Sequence, residues 1–210
     1  MSRRGAPPEL FEIASLLLRY PDAAALGRDA DIAEVAAALP HRLRAPCERF
    51  LAHRRDTPAI DLEGEYVETF DTRRRCTLNV SYYLYGDTRR RGVALLRLKR
   101  MYAAAGLVLE SDELPDHLPV MLAFAALAPP GYGEHVLQEH RIGIELLLLG
   151  LRAAGRPHAD VLEAVSAALP RLGLSQIRAV RKLAAEGPPD EQVGLEPFAP
   201  PEVMPVEVRP

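Results

Sequence analysis

Apolar residues recur at helical spacing in one segment of this chain after another. Leu10, Phe11, Ala14, Leu17 and Leu18 stand at i, i+1, i+4, i+7 and i+8, which draws one apolar stripe along a helix. Pro7 and Pro8 open that helix, and Pro21 comes after its end. Residues 29–38 form a short second candidate. Over 41–55, Leu43, Cys47, Phe50 and Leu51 keep the helical spacing until Thr57-Pro58 interrupts it. A fourth helix is predicted over 59–70, with Tyr66, Val67 and Phe70 on its inner face. The clearest pattern covers 88–105, where Ala94, Leu95, Leu98, Met101, Tyr102 and Ala105 form the stripe and Arg90, Arg97 and Arg100 lie off it. Asp87 or Thr88 is placed to cap its first N–H groups, and Gly106 to end it. A helix over 118–127 carries Pro119 in its first turn. Residues 134–153 are apolar on two sides. Leu137, His140, Ile144, Leu147, Leu148 and Leu151 mark one face, and Ile142, Leu146 and Leu149 mark another. A helix of that kind belongs in the middle of a bundle. Helices over 158–168 and 170–185 complete the set.

The stretch "CTLNVSYYLY", residues 76–85, does not fit this pattern. Its β-branched and aromatic residues favour a strand. No second convincing strand offers a partner, so a helical or irregular segment is expected. The fold class is therefore all-α: a single-domain bundle of about eight to nine helices over residues 1–186, then a tail over 187–210. The tail holds seven prolines in 24 residues and five acids against one base. It cannot bury enough apolar surface to order itself, so a flexible tail is expected.

Composition narrows the functional classes. Hydrophobic residues make up 48% and charged residues 26%, so a sizeable core is possible. Aromatics are only 6% and Trp is absent, which leaves Leu, Ala and Val to fill that core. The net charge of −3 argues against a nucleic-acid partner and makes a DNA-binding regulator the weakest reading. Cys47 and Cys76 make no disulfide framework and fit a reducing, cytoplasmic setting. Arg3 and Arg4 imitate a twin-arginine export signal. The apolar residues after them are broken by Glu9, Glu12 and Arg19, so no signal h-region and no membrane span is predicted.

Catalytic motifs are scarce. "GYGEHV", residues 131–136, begins like a dinucleotide fingerprint but ends in Val136 with no strand before it. No Walker A sequence, nucleophile elbow or H-E-x-x-H is present, which weighs against a helical nucleotide-binding enzyme. "EHVLQEH", residues 134–140, lacks the Glu-x-x-His of di-iron bundles. His140 reads as a satisfied core histidine and His135 as exposed. Cys47 reads as a buried thiol. Cys76 comes directly after Arg73, Arg74 and Arg75, which can lower a thiol pKa. The arginine run 89–91 stands at a helix N-terminus, where the macrodipole disfavours positive charge. Either this run and 73–75 are solvated helix ends with local ion pairs to the adjacent Asp87 and Asp71, or they pair with buried carboxylates or a ligand anion. "ELPDHLP", residues 113–119, is either a plain helix start capped by Asp116 or a rigid exposed loop that presents Asp116 and His117.

Three stretches taken together resemble a known family. "YVETFD" (66–71), "GDTRRRGVALLRLKRMYAAAGL" (86–107) and "ELPDHLPVMLAFAAL" (113–127) come in the order and spacing of the NarJ-type nitrate reductase molybdenum cofactor assembly chaperones. These belong to the wider TorD/DmsD-like redox enzyme maturation proteins. The chain departs from that pattern at Thr77, where the family often has Ser, and at Ala123, where it usually has Glu. The resemblance implies a non-catalytic chaperone with no permanently bound cofactor. It implies binding of the N-terminal segment of the apo catalytic (alpha) subunit of a respiratory nitrate reductase. The chaperone then assists insertion of the molybdenum–guanine dinucleotide cofactor before membrane attachment. Molybdenum cofactor biosynthesis proteins are the second partner class. A sulfoxide or N-oxide reductase is the rival client. On this reading Tyr66, Asp71, Asp87, Arg89, Arg90, Leu114, Pro115, Asp116 and His117 are the candidate peptide-binding residues, with Glu65 and Glu68 as further acids for a basic peptide.

Overall fold

Prolines and glycines punctuate the helices where the sequence places them. The structure, a computed structural model, describes residues 6–110 and 112–189. Most of the tail predicted over 187–210, and Arg3 and Arg4, lie outside the described residues. Helix α1 (Pro8–Leu17) starts with Pro8 in its first turn and buries Leu10, Phe11, Ile13, Ala14 and Leu17. Two helices, α2 (Ala23–Leu26) and α3 (Asp29–Ala37), lead into α4 (His41–Asp56) and α5 (Ala59–Phe70). Asp22 caps α2 by accepting a hydrogen bond from the Ala25 N–H. A 3₁₀ turn (Arg74–Cys76) and a four-residue helix α6 (Tyr82–Tyr85) precede α7 (Arg89–Ala104). Then come α8 (Leu118–Leu127), α9 (Tyr132–Glu139), α10 (Arg141–Ala153), α11 (Ala159–Ala168) and α12 (Leu174–Glu186).

The described residues form an all-α bundle, as expected, but with twelve α-helical segments instead of eight or nine. Two of the extra segments are the four-residue α2 and α6. The third comes from the predicted 134–153 helix, which breaks at His140 into α9 and α10. The break lets two faces find different partners. Val136 and Leu137 of α9 turn into the core beside α8, while α10 meets α11, α12 and the 74–76 turn.

The core lies among α1, α8, α10 and α11. Helix α8 is apolar around most of its circumference and buries six of its ten residues. It packs on α1 and α9, and α11 packs on α4, α10 and α1. His140 is nearly buried, with its Nδ1 2.9 Å from the Val136 carbonyl, so that nitrogen carries the proton. His135 is exposed and Cys47 is buried, as read from the sequence. Burial pushes the Cys47 thiol up to about 11.

His158 is a polar group buried in an aromatic part of this core. Its ring stacks among Phe50 at 4.9 Å, Phe70 at 4.8 Å and Tyr66 at 6.2 Å, and its Nδ1 has no hydrogen-bond partner. Burial first, then the nearby His53 and arginines, depresses its pKa to about 3. The unfolded chain takes up a proton near pH 6.5 that the folded chain refuses. Folding stability is therefore complete above pH 6.5 and falls as pH drops toward 3, by up to about 1.4 kcal/mol per pH unit. His158→Leu should flatten this acid limb, measured as the urea midpoint at pH 7 and pH 4.5.

Candidate functional site

The 76–85 stretch finds its strand-like partner in a loop. Asn79 and His117 form a single antiparallel bridge. The Val80 N–H donates to the Asp116 carbonyl at 3.1 Å, and the Leu118 N–H donates to the Leu78 carbonyl at 2.9 Å. Asp116 is fully buried at the centre of this pairing. Its carboxylate accepts from Asn79 Nδ2 at 3.0 Å, Ser81 Oγ at 2.5 Å and Arg91 at 3.4 Å. The "ELPDHLP" loop therefore does not present the Asp116 side chain to solvent, nor does Asp116 cap α8, where His117 takes the cap position. The carboxylate is spent on three partners from the opposing segment and α7.

The same loop holds α7. The Tyr102 hydroxyl donates to the Pro115 carbonyl at 2.7 Å, and its ring lies 4.3 Å from that of Phe124. Arg91, Leu98 and Tyr102 share one face of α7, and only Leu98 and Tyr102 of its sixteen residues are fully buried. The rest of the predicted stripe is half-covered. Thr88 occupies the N-cap position, but its hydroxyl makes no capping bond, and Asp87 instead pairs with Arg91 at 2.9 Å. Within the 89–91 run it is Arg91 that ties the helix start to two acids.

Beside this anchor runs a groove of about 840 Å³. One wall is the segment Arg73–Cys76 with Tyr82 and Tyr83, the floor is α10, and the far wall is the end of α12. Leu146, Leu149, Ala153 and Leu183 supply its apolar surface. Gly143 and Gly150, seven apart on α10, let the near wall lie directly on the helix backbone. A Cβ at Gly143 would stand 2.3 Å from the Val80 carbonyl oxygen, and one at Gly150 would stand 2.1 Å from that of Arg75. Arg73 pairs with Glu68 at 2.8 Å, and Arg156 also reaches that carboxylate. Both arginines, Arg73 first, hold Glu68 below the usual carboxylate range. Arg74 and Arg75 are exposed and have no acidic partner among the described residues.

A smaller cleft of about 240 Å³ continues from this groove across Arg73, Arg74 and Tyr82. It brings together Asp71, Asn79, Asp87 and Arg91. Of the residues singled out from the sequence, Asp71 and Asp87 line this cleft and are exposed. Arg89 and Arg90 are exposed at the start of α7. Leu114 is exposed, Pro115 and Asp116 are buried, and His117 is partly covered. Burial first depresses the His117 pKa, against the neighbouring Glu113 and Asp116 carboxylates. Tyr66 lies elsewhere, in the aromatic cluster with Tyr20, Phe70 and His158. Burial raises the Cys76 thiol pKa despite the lowering effect of Arg73, so the activated thiol allowed by the sequence is not what the fold makes.

Sequence reasoning missed Tyr82, Leu146, Leu149, Ala153 and Leu183 as groove residues. The usable signal was the second apolar face of 134–153, with Leu149 at 43% exposure where a core helix would be covered. Among the described residues no cluster of three or more His, Cys, Asp or Glu is placed to hold a metal. No described helix is long and apolar enough to cross a membrane.

A family model for the nitrate reductase delta subunit matches residues 28–162, more than half of the chain. The chain belongs to that family. Residues 66–127, which carry the NarJ-type resemblance, fall inside the match. The chain is 30% identical over 167 residues to a probable nitrate reductase molybdenum cofactor assembly chaperone of Bacillus subtilis, covering 79% of this chain and 91% of that one. It is 37% identical over 120 residues to the corresponding Escherichia coli chaperone, covering 56% of this chain and 51% of the relative. A nitrate reductase-like protein of Mycobacterium tuberculosis is 34% identical over 172 residues. That match covers 74% of this chain and only 24% of the mycobacterial protein, so the chain spans about a quarter of that relative's length. A crystal structure of a putative redox enzyme maturation protein from Archaeoglobus fulgidus superposes with a TM-score of 0.60 at 22% identity, over 80% of this chain and 96% of that one. It shares the fold. Within the delta subunit family match lie the Arg73–Tyr83 wall and the α10 floor of the groove, while α12 stands beyond it.

Proposed function

We propose that this member of the family is a cytoplasmic assembly chaperone that binds the N-terminal segment of the apo catalytic subunit of a nitrate reductase. It holds that subunit while the molybdenum–guanine dinucleotide cofactor is inserted and before the subunit attaches to the membrane. The observation that carries the reading is the groove. It offers an apolar floor of Leu146, Leu149 and Ala153, a width set by α12, and polar side chains along one edge. An amphipathic peptide lays its apolar face into such a groove, and its polar face meets the rim. The exposed carboxylates of Asp71 and Asp87 in the adjoining cleft suit basic residues of that peptide. Arg89, Arg90 and Leu114 are exposed and are proposed as further contacts outside the groove and cleft. Pro115, Asp116 and His117 act behind the surface, by holding the segment that lines it, whereas Tyr66 serves the aromatic cluster with Tyr20, Phe70 and His158. The cofactor is cargo for the client, and the chaperone's own residues contribute peptide binding alone.

Calorimetric titration with a peptide from the N-terminus of the catalytic subunit of the same organism tests this. Binding at about micromolar Kd or tighter, near −8 kcal/mol, is expected. Leu149→Arg puts a charge on the groove floor at a position already partly exposed, so the fold should survive. Affinity should fall by about tenfold or more, the effect of losing one buried apolar contact of roughly 1.5 kcal/mol. Unchanged affinity in a folded Leu149→Arg protein would place the peptide outside the groove.

A further inference from the structure

We propose that the outer face of α7 is a docking surface for an anionic lipid membrane. The helix carries six cations, Arg89, Arg90, Arg91, Arg97, Lys99 and Arg100, and no acid stands between Asp87 and Glu110. In a chain with a net charge of −3 this gathers positive charge on one element. Arg91 is spent on Asp87 and Asp116, and Arg97 pairs with Glu139. Arg90, Lys99 and Arg100 are exposed and have no acidic partner among the described residues. Leu98 and Tyr102 hold the inner side of the helix. On the opposite side Arg89, Val93, Leu96 and Arg100 follow one another at i, i+4, i+7 and i+11, a stripe about 17 Å long. Val93 is 69% exposed and Leu96 59%, so two apolar groups face solvent between two arginines.

Two features favour a lipid surface over an acidic helix of a partner protein. Arg89 and Arg100 stand in line with the two apolar residues, so a helix paired along this stripe would bury both charges. A single Val–Leu pair also falls short of the roughly three heptads that a helix–helix seam needs. At a membrane, arginine and lysine stems lie along the surface and carry their charge to the phosphates, while Val93 and Leu96 enter the acyl boundary. The second feature is a cavity of about 550 Å³ between α7 and α9, beside the stripe. Its lining sets Met101, Ala104 and Tyr132 next to Arg97, Arg100 and His135. Apolar surface beside cations is what an acyl chain and its phosphate headgroup require together. Each Lys or Arg near an anionic leaflet strengthens binding by about fivefold. Arg90, Lys99 and Arg100 together therefore give roughly a hundredfold, enough for reversible attachment.

The docking is independent of the client reading; only its use, setting the chaperone beside the membrane to which a client attaches, rests on it. The full chain is co-sedimented with vesicles of phosphatidylglycerol and phosphatidylcholine in equal parts, and with phosphatidylcholine alone. Binding to the mixed vesicles only, and its loss at about 1 M salt, are expected. Arg90→Gln with Arg100→Gln should lower the partition by about 25-fold, fivefold for each charge, with an unchanged urea midpoint because both side chains are exposed. Arg178→Gln with Arg181→Gln removes the same charge from exposed positions on α12 and should leave the partition within about twofold. Equal losses in the two double variants mean attraction by net charge and overturn the α7 surface. Release from the vesicles by inorganic phosphate at constant ionic strength means a site for the free anion and overturns the lipid assignment. No sedimentation with the mixed vesicles overturns the proposal, and polyglutamate binding in that case assigns the face to an acidic protein.

Discussion

Asp116→Ala should destabilise this protein by about 3–5 kcal/mol, the penalty for stripping one partner from a buried charged pair. The substitution removes the acceptor of Asn79 Nδ2, Ser81 Oγ and Arg91 at once. Asp116 is fully buried and the Arg91 side chain is only 15% exposed, so water does not readily replace what is lost. Domains of this kind have a total stability of roughly 5–15 kcal/mol, so the loss is a large part of it. Asp116→Asn keeps the shape and one acceptor oxygen and should cost less, about 1–3 kcal/mol. The urea midpoint of the three proteins at pH 7 measures the order. An Asp116→Ala protein as stable as the parent would show that the buried carboxylate and its three donors carry no net energetic weight. Because the pairing supports the cleft from behind, any loss of client affinity should track the loss of stability.

The second large effect concerns glycines, and it has opposite signs at different positions. In an exposed helix interior, Gly→Ala is normally stabilising by roughly 0.5–1 kcal/mol. Gly64 in α5 and Gly92 in α7 have open space where a Cβ would go, so both should obey that rule. Gly143 and Gly150 should break it. Each added methyl would stand within 2.1–2.3 Å of a carbonyl oxygen of the wall segment, and backbone cannot swing aside as a long side chain can. Overpacking of this kind costs about 1–3 kcal/mol and can exceed it. Gly143→Ala and Gly150→Ala should therefore each lower the urea midpoint. Together they should be less than additive, since displacing the one segment relieves both. Equal stabilisation at all four glycines would mean that the wall does not lie on α10.

The pattern of apolar residues located most helices, because an amphipathic stripe records which side is buried. Prolines at 8, 58 and 119 marked helix starts that the structure keeps. It did not reveal the break at His140. Two apolar faces on 134–153 are equally the pattern of one straight central helix and of two shorter ones with different neighbours. Nor did it reveal the partner of 76–85. A single bridge to His117 leaves no alternation to read, and the loop that supplies it was legible only as a helix start. Asp116 in particular gave no sign of burial, since a carboxylate before a helix has the look of a cap. The groove was the least legible feature. Its walls come from 73–83, 146–154 and 183–188, and no local sequence pattern records that tertiary meeting. Asp71 and Asp87 were found because they flank arginine runs, whereas Leu149 looked like part of a central helix's second apolar face and Leu183 was not singled out.

Helix α7 is fastened to the bundle through Arg91 on Asp116, Arg97 on Glu139 of α9, the buried Leu98, and Tyr102 on Pro115. Local stability depends on the surface and hydrogen bonds lost when a segment opens, and of the residues of α7 only Leu98 and Tyr102 are fully buried. The α1, α8, α10 and α11 core packs without it, so amide exchange is expected to be faster in α7 than in those four helices. Two of these fastenings, through Asp116 and Pro115, end on the 114–118 loop, so α7 and that loop are expected to gain and lose amide-exchange protection together. The bundle is thus a densely packed frame with one lightly buried helix on its flank, and the arginines at the start of that helix, with Asp87 before it, sit on the part of the fold that has least packing to hold their spacing.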